Sequence, residues 1–227
     1  MMLTTEALVL REGRPSGEAD RLVTLLTRER GVLRAYANGA RSIKSRRAAG
    51  TQALCHTRLT LRQKGEWWQV SEAEALHTFF ELRGGIEKLA LAQYLCELAG
   101  TVIPSEEPAE DALRLMLGAL HLLCGEKYTL AHIKAVTELR LLALSGLMPA
   151  FDGGGGRLEL VRGTFGNEGW PVNDGMRAAM RFACEAPLER CFAFSTDDAA
   201  LAVVAEAYLQ VQLGRNFATL EFYHSVI

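Results

Sequence analysis

Residues 55–64 read CHTRLTLRQK, and apolar and polar side chains alternate along them with a period of two. This alternation is typical of a β-strand with one buried face, because successive side chains point to opposite sides of a sheet. The buried row would hold Cys55, Thr57, Leu59 and Leu61. The solvent-facing row would hold His56, Arg58, Thr60, Arg62 and Lys64. The segment therefore predicts a strand that is apolar inside and basic outside.

Four neighbouring segments predict short strands of the same kind. They are residues 5–12, 21–28, 32–38 and 66–78, and turn signals such as Arg14-Pro15-Ser16-Gly17 and Asn38-Gly39 separate them. Five short strands in about eighty residues are typical of a small closed barrel of the oligonucleotide-binding (OB) type. We therefore predict an OB-fold nucleic-acid-binding domain over residues 1–82.

The rest of the chain, residues 83–227, predicts an α-helical domain, so the fold class is expected to be α+β. Apolar residues recur at helical spacing, and Pro or Gly lies near the expected helix ends. The expected helices are 85–103, 108–124, 129–146, 174–185 and 196–213.

Charge divides along the chain in the same way. Residues 1–83 hold 14 Lys and Arg against 9 Asp and Glu, whereas residues 84–227 hold 11 against 18. This division indicates a basic module for a polyanion joined to an acidic module. The chain has 49% hydrophobic residues and neither a signal peptide nor an uninterrupted apolar span, so we expect a cytoplasmic protein without a membrane partner. The five cysteines form no C-x-x-C pair and are expected to be free thiols.

The basic residues and aromatics of the first domain predict a nucleic-acid surface. The loop 39–50, GARSIKSRRAAG, contains four cations and no acid. Phosphate contacts are expected from Arg41, Lys44, Arg46 and Arg47 of this loop and from Arg58, Arg62 and Lys64 of the strand. Arg34 and Tyr36 share one strand face and are expected to meet bases or sugars. One of the adjacent Trp67 and Trp68 should face outward, where it could either stack a base or simply pack.

Motifs at both ends of the chain resemble one bacterial family. The run SGEADR at 16–21, LVTLLTR at 22–28 and Gly39-Ala40-Arg41 with its basic loop are similar to the amino-terminal domain of the RecO family of DNA repair proteins. Tyr208-Leu209, LGRNF at 213–217 and LEF at 220–222 are similar to that family's closing segment. The resemblance covers most of the chain.

The resemblance implies a recombination mediator in double-strand break and gap repair. Such a protein binds single- and double-stranded DNA and anneals complementary strands without a nucleotide cofactor. With its partner RecR, it helps load the recombinase RecA onto DNA covered by single-stranded-DNA-binding protein. The implied location is the cytoplasm, in association with the nucleoid. The implied fold is an OB barrel followed by helices.

In some relatives the acidic tail of the single-stranded-DNA-binding protein docks on the helical domain. Such a site requires an apolar pocket beside a cation. The helix 129–146 offers Lys134 and Arg140 among leucines as candidates, although ordinary surface solvation would explain both residues as well.

The sequence departs from the family at residues 150–175. Many relatives carry two C-x-x-C pairs there that bind a structural zinc, but this stretch has eight glycines and no cysteine. Either the zinc knuckle has become a loop, or a hairpin of 158–161 and 164–165 holds its shape without metal. We therefore predict a degenerate, cysteine-free version of the zinc-finger-like loop, with no metal and no cofactor.

The sequence offers little support for the hypothesis that the protein is an enzyme. The chain contains neither a G-x-x-x-x-G-K-[ST] phosphate loop nor a G-x-S-x-G nucleophile turn. We therefore expect a binding protein and not an enzyme. Two alternatives remain open at this point: an RNA-binding OB module, and a scaffold whose basic face binds an acidic protein.

Overall fold

The computed structural model describes residues 1–13, 19–42 and 44–227. The predicted turn at 14–17, the SGE portion of the family motif and Ile43 of the basic loop lie outside the described residues. In the described part of the chain, no helix combines the length and apolar character that a membrane crossing requires.

The first domain is a closed barrel with the strand order β1-β2-β3-β5-β4. Its strands are β1 (Met2–Gly13), β2 (Arg21–Thr27), β3 (Gly31–Ala37), β4 (His56–Lys64) and β5 (Trp67–His77). β3 and β5 pair in parallel, and the other neighbouring pairs are antiparallel. The α+β fold class and the OB character of the barrel are thereby confirmed.

The alternation predicted for residues 55–64 determines which side chains of β4 fill the barrel interior. Thr57, Leu59 and Leu61 are fully buried, whereas Arg58, Arg62 and Lys64 are exposed. Inward side chains of the other strands complete a core that includes Val9, Val23, Leu25, Leu33, Trp68 and Val70.

Part of the barrel's outer surface is not open to solvent. Leu8 and Leu10 of β1 and Leu26 of β2 point away from the barrel interior and belong to the core of the helical domain. β1 is therefore buried on both faces over 7–10, as a strand between two packed layers must be. The outer faces of β3, β4 and β5 remain available for a ligand.

The helical domain contains α1 (Ile86–Val102), α2 (Glu110–Cys124), α3 (Leu130–Leu144), α4 (Asp174–Glu185), α5 (Asp198–Leu213) and α6 (Ala218–Val226). Side-chain caps begin three of them, since Thr129, Asn173 and Asp197 each accept a backbone N–H of the first turn. The five predicted helices are present, and α6 was not predicted. That helix has nine residues with few strong helix formers, and its packing against α1 stabilises it.

The glycine-rich stretch forms a small sheet of β6 (Arg157–Glu159), β7 (Thr164–Gly166) and β8 (Trp170–Pro171). The Arg177 guanidinium of α4 donates to the carbonyls of Phe151 and Gly153 and lies 4.5 Å from the Phe165 ring centroid. Gly155, at φ +90°, approaches Gly166 so closely that a Cβ would overlap it. Among the described residues, no group of three or more His, Cys, Asp and Glu is placed to hold a metal ion. The absence of zinc stays a prediction.

Candidate nucleic-acid interface

The exposed outer face of β3, β4 and β5 brings aromatic and basic side chains together. Strand register places Tyr36 of β3 opposite Gln69 of β5, and Gln69 opposite Arg62 of β4. Two residues further along β4, on the same face, Lys64 lies opposite Trp67. Neighbouring outward residues on paired strands lie within side-chain contact distance, so these five residues form one continuous surface.

Tyr36 and Trp67 form what we call the aromatic pair. Their ring centroids are 5.4 Å apart and the rings meet edge to face. Trp67 is 51% exposed, whereas Trp68 is 4% exposed and belongs to the barrel core. The pair lines an open groove of about 470 Å³ together with Asn38 and Lys64. Exposed rings beside a cation can stack bases and neutralise the adjoining phosphates.

Three cations beside the aromatic pair are free to bind a ligand. Arg34, Arg62 and Lys64 are exposed, and no carboxylate of the described residues lies within ion-pairing distance of them. The structure thus brings these three predicted residues together with Tyr36, the aromatic predicted to contact bases.

The basic loop, residues 39–50, packs on the barrel beside this surface. The Asp20 carboxylate accepts the Gly39 N–H at 2.8 Å, and the Arg21 guanidinium donates to the Ala48 carbonyl at 2.8 Å. Arg41, Lys44 and Arg46 are exposed. Lys44 and Arg46 line a second groove, of about 810 Å³, between the loop and β4 and β5.

Arg47 has a different role from its predicted one. Its guanidinium donates to the Val70 carbonyl at 3.0 Å and to the Asn38 carbonyl at 2.7 Å. These bonds tie the basic loop to β5 and to the end of β3. Arg47 is therefore placed as an anchor of the loop and not as a free phosphate contact.

The predicted basic row is partly neutralised at Arg58. Its guanidinium lies 3.3 Å from the carboxylates of both Glu6 and Glu74, on the two strands that flank β4. A second acid of β5, Glu72, accepts the Thr60 hydroxyl at 3.2 Å. The free positive charge of the row is therefore concentrated at its other end, at Arg62 and Lys64.

The assignment of Lys134 to a partner-binding surface is wrong. Its side chain is 3% exposed, and its ammonium lies 2.8 Å from Glu138 and 2.7 Å from Glu206. Tyr94 donates to the same Glu138 carboxylate at 2.6 Å. Burial opposes the charged form of Lys134, but the two carboxylates outweigh burial and raise its pKa. Lys134 thus joins α1, α3 and α5 from inside the domain.

Arg140 is also engaged within the domain. Its guanidinium donates to the Cys184 carbonyl, and Nη1 lies 3.5 Å from the Ala183 carbonyl oxygen. These carbonyls lie in the last turn of α4, where a cation satisfies otherwise unpaired acceptors. The geometry gives Arg140 a helix-capping role through Nη1, and its predicted peptide contact stays a prediction.

Sequence reasoning left the exposed tryptophan undecided and did not identify Gln69. The signal was present in WWQV at 67–70, because Trp68 and Val70 share the buried face and Trp67 and Gln69 must then share the other.

Comparison with known proteins accounts for nearly all of the chain. A family profile described as Recombination protein O N terminal matches residues 1–79. A second profile, Recombination protein O C terminal, matches residues 83–221. The two matches follow the order of the barrel and the helices.

Several curated relatives bear the name DNA repair protein RecO. The protein of Acetivibrio thermocellus is 26% identical over 97% of this chain and 95% of its own length. That of Heliobacterium modesticaldum is 41% identical over 63% of this chain, and the match covers 51% of the relative. That of Pelotomaculum thermopropionicum is 35% identical over 65% of this chain and 56% of the relative. With both profiles matched in order, the chain belongs to the RecO family of DNA repair and recombination proteins.

Proposed function

We propose that this protein binds single- and double-stranded DNA through the outer face of β3, β4 and β5 and the basic loop. The observation that carries the proposal is the aromatic pair, half-buried Tyr36 and exposed Trp67, with the unpaired cations Arg34, Arg62 and Lys64 around it. A single strand is bound by aromatic rings on which its bases stack and by free cations that neutralise its phosphates. The family's role in DNA repair agrees with this ligand.

The same surface accounts for strand annealing without catalysis. Cations along the groove lower the repulsion between two phosphate backbones, so that complementary strands held there can pair. No covalent bond forms or breaks in this process. The protein therefore acts as a binding protein and needs neither a nucleotide nor a metal.

In the cell, the protein works on the nucleoid in the cytoplasm. With RecR, it helps load RecA onto single-stranded DNA that the single-strand-binding protein covers. Family membership and the DNA surface support this role. We place the docking site for the tail of the single-strand-binding protein away from Lys134, since that side chain is buried in ion pairs inside the helical domain.

The test is the annealing of two labelled complementary DNA strands coated with single-strand-binding protein, with no ATP and no added metal. We expect the protein to accelerate annealing and moderate salt to suppress it. The variant Lys44→Ala/Arg46→Ala should anneal more slowly than the wild type. The matched control Lys127→Ala/Arg162→Ala removes one exposed Lys and one exposed Arg of the helical domain and should not differ from the wild type.

Three outcomes would contradict the proposal. Equal slowing by the control variant would show that total charge matters and the barrel surface does not. Selective pairing of RNA over DNA would identify an RNA-binding module. If neither nucleic acid binds, the basic face serves a protein partner.

A further inference from the structure

A cleft separates the open side of the barrel from the helices, and it adjoins the surface assigned above at Arg34. This interdomain cleft has a volume of about 760 Å³. Arg11 and Arg34 line it from the barrel, while Gln93 and Arg215 line it from the helical domain. All four side chains belong to exposed residues, so a ligand could reach them.

Arg11 and Arg34 flank the same residue, Thr24, across three paired strands. Thr24 of β2 is opposite Arg34 of β3 on one side and opposite Arg11 of β1 on the other. Arg11 Nε lies 3.4 Å from the Thr24 hydroxyl oxygen. The line of positive charge therefore runs from the outer face of β3 into the interdomain cleft.

The carboxylates of the cleft are already engaged. Glu12 lies 2.9 Å from Arg21 Nε and accepts the Ala53 N–H at 3.2 Å. Glu97 accepts the Thr219 hydroxyl at 2.5 Å and lies 3.8 Å from the Arg215 guanidinium. Within the described ranges, no carboxylate forms an ion pair with Arg11 or Arg34. The cleft therefore has an excess of positive charge.

Arg215 is held so that its guanidinium faces the cleft. It follows Gly214, which ends α5 in the left-handed conformation at φ +58°. Its guanidinium carbon lies 4.8 Å from the Phe217 ring centroid, and the side chain stays 48% exposed. A guanidinium stacked on a ring can still donate its outer N–H groups to a phosphate, and the Glu97 carboxylate at 3.8 Å is too far away to form a direct hydrogen bond with it.

The cleft continues the surface of the aromatic pair. Tyr36 lies two residues after Arg34 on the same face of β3, and its ring contacts Trp67. We propose that the interdomain cleft is a second phosphate-binding site, in which Arg11, Arg34 and Arg215 hold the backbone of the strand whose bases stack on the aromatic pair. This inference rests on the proposed DNA binding and assigns part of the DNA site to the helical domain.

The test compares two variants, one that adds a negative charge inside the cleft and one that adds it elsewhere on the surface. Gln93→Glu preserves side-chain shape and places a carboxylate in the cleft, whereas Asn167→Asp places one on an exposed turn of the small sheet. The measurement is the affinity for a labelled single strand of about 16 nucleotides over a series of salt concentrations. We expect about threefold weaker binding for Gln93→Glu and no change for Asn167→Asp.

A second variant removes the cations themselves. Arg11→Ala/Arg215→Ala should bind the same strand at least about tenfold more weakly, and its salt slope should fall by about 0.7 for each phosphate that the protein no longer neutralises. Unchanged affinity in both cleft variants, with wild-type DNA binding intact, would overturn the cleft site and leave the barrel surface as the DNA site. A wild-type protein that binds no DNA would overturn both proposals.

Discussion

Trp67 exposes half of its surface beside Lys64, and its ring edge meets Tyr36. We expect Trp67→Ala to weaken binding of a single strand by about 1–3 kcal/mol, because one stacked base loses its platform. Titration of a labelled oligonucleotide measures the effect. Trp170→Ala is the control, since Trp170 is 39% exposed on the small sheet. An equal loss in both variants would contradict a specific stacking site.

Arg46 and Arg47 are adjacent in sequence but differ in their contacts. Arg46 is exposed, whereas Arg47 donates to two backbone carbonyls. Arg46→Ala should lower the salt slope of DNA binding by about 0.7–0.9 and leave thermal stability unchanged. Arg47→Ala should lower stability by about 1–3 kcal/mol, since the partly buried Val70 carbonyl and the exposed Asn38 carbonyl both lose a charged donor. Thermal unfolding and salt titration of both variants check the difference, and identical behaviour would contradict it.

Among the elements, α3 depends on the buried ion pairs of Lys134. Lys134→Met should destabilise the protein by about 3–5 kcal/mol, because Glu138 would remain buried without its cation. The companion variant Lys134→Met/Glu138→Gln removes the unpaired charge and should recover part of that loss. Denaturant unfolding measures both free energies. A double variant as unstable as the single one would contradict this account of the loss.

The same ion pairs set a pH dependence. The pKa of Lys134 is raised in the folded state, so its stabilising contribution is fully present below the ordinary lysine value of about 10.4. This contribution is lost as pH rises through the raised pKa. The stability difference between the wild type and Lys134→Met should therefore shrink in strongly alkaline solution. A difference that grows with alkaline pH would contradict this sign.

At the scale of the whole molecule, the outer faces of β1 and β2 are part of the apolar core of the helices. Leu8, Leu10 and Leu26 extend it from β1 and β2 to α1 and α2. Leu8→Ala should cost about 2–5 kcal/mol and destabilise both parts together. In a Trp170→Ala background, only Trp67 and Trp68 of the barrel contribute tryptophan fluorescence. Unfolding followed by this fluorescence and by helical circular dichroism should give coincident transitions. Separate transitions would show that the two parts unfold independently.

Much of the fold was predictable because its signals are local. Alternation along 55–64 defines both faces of β4, and apolar spacing with Pro or Gly near the ends marks five of the six helices in the described chain. The third strand of the small sheet and α6 were not predicted. Each is short and depends on contacts with residues far away in the sequence.

The sequence by itself determined the OB barrel, the helical domain, the family and the basic aromatic surface. A period of two and a motif are both properties of neighbouring residues. Only the tertiary structure decided which face of the barrel the helices cover and which cations remain free. Lys134 forms an ion pair with Glu206, 72 positions away in the chain, and Arg58 forms one with Glu6, 52 positions away. Ion pairs between residues so far apart in the sequence depend on how the elements pack, and a local sequence pattern cannot predict them.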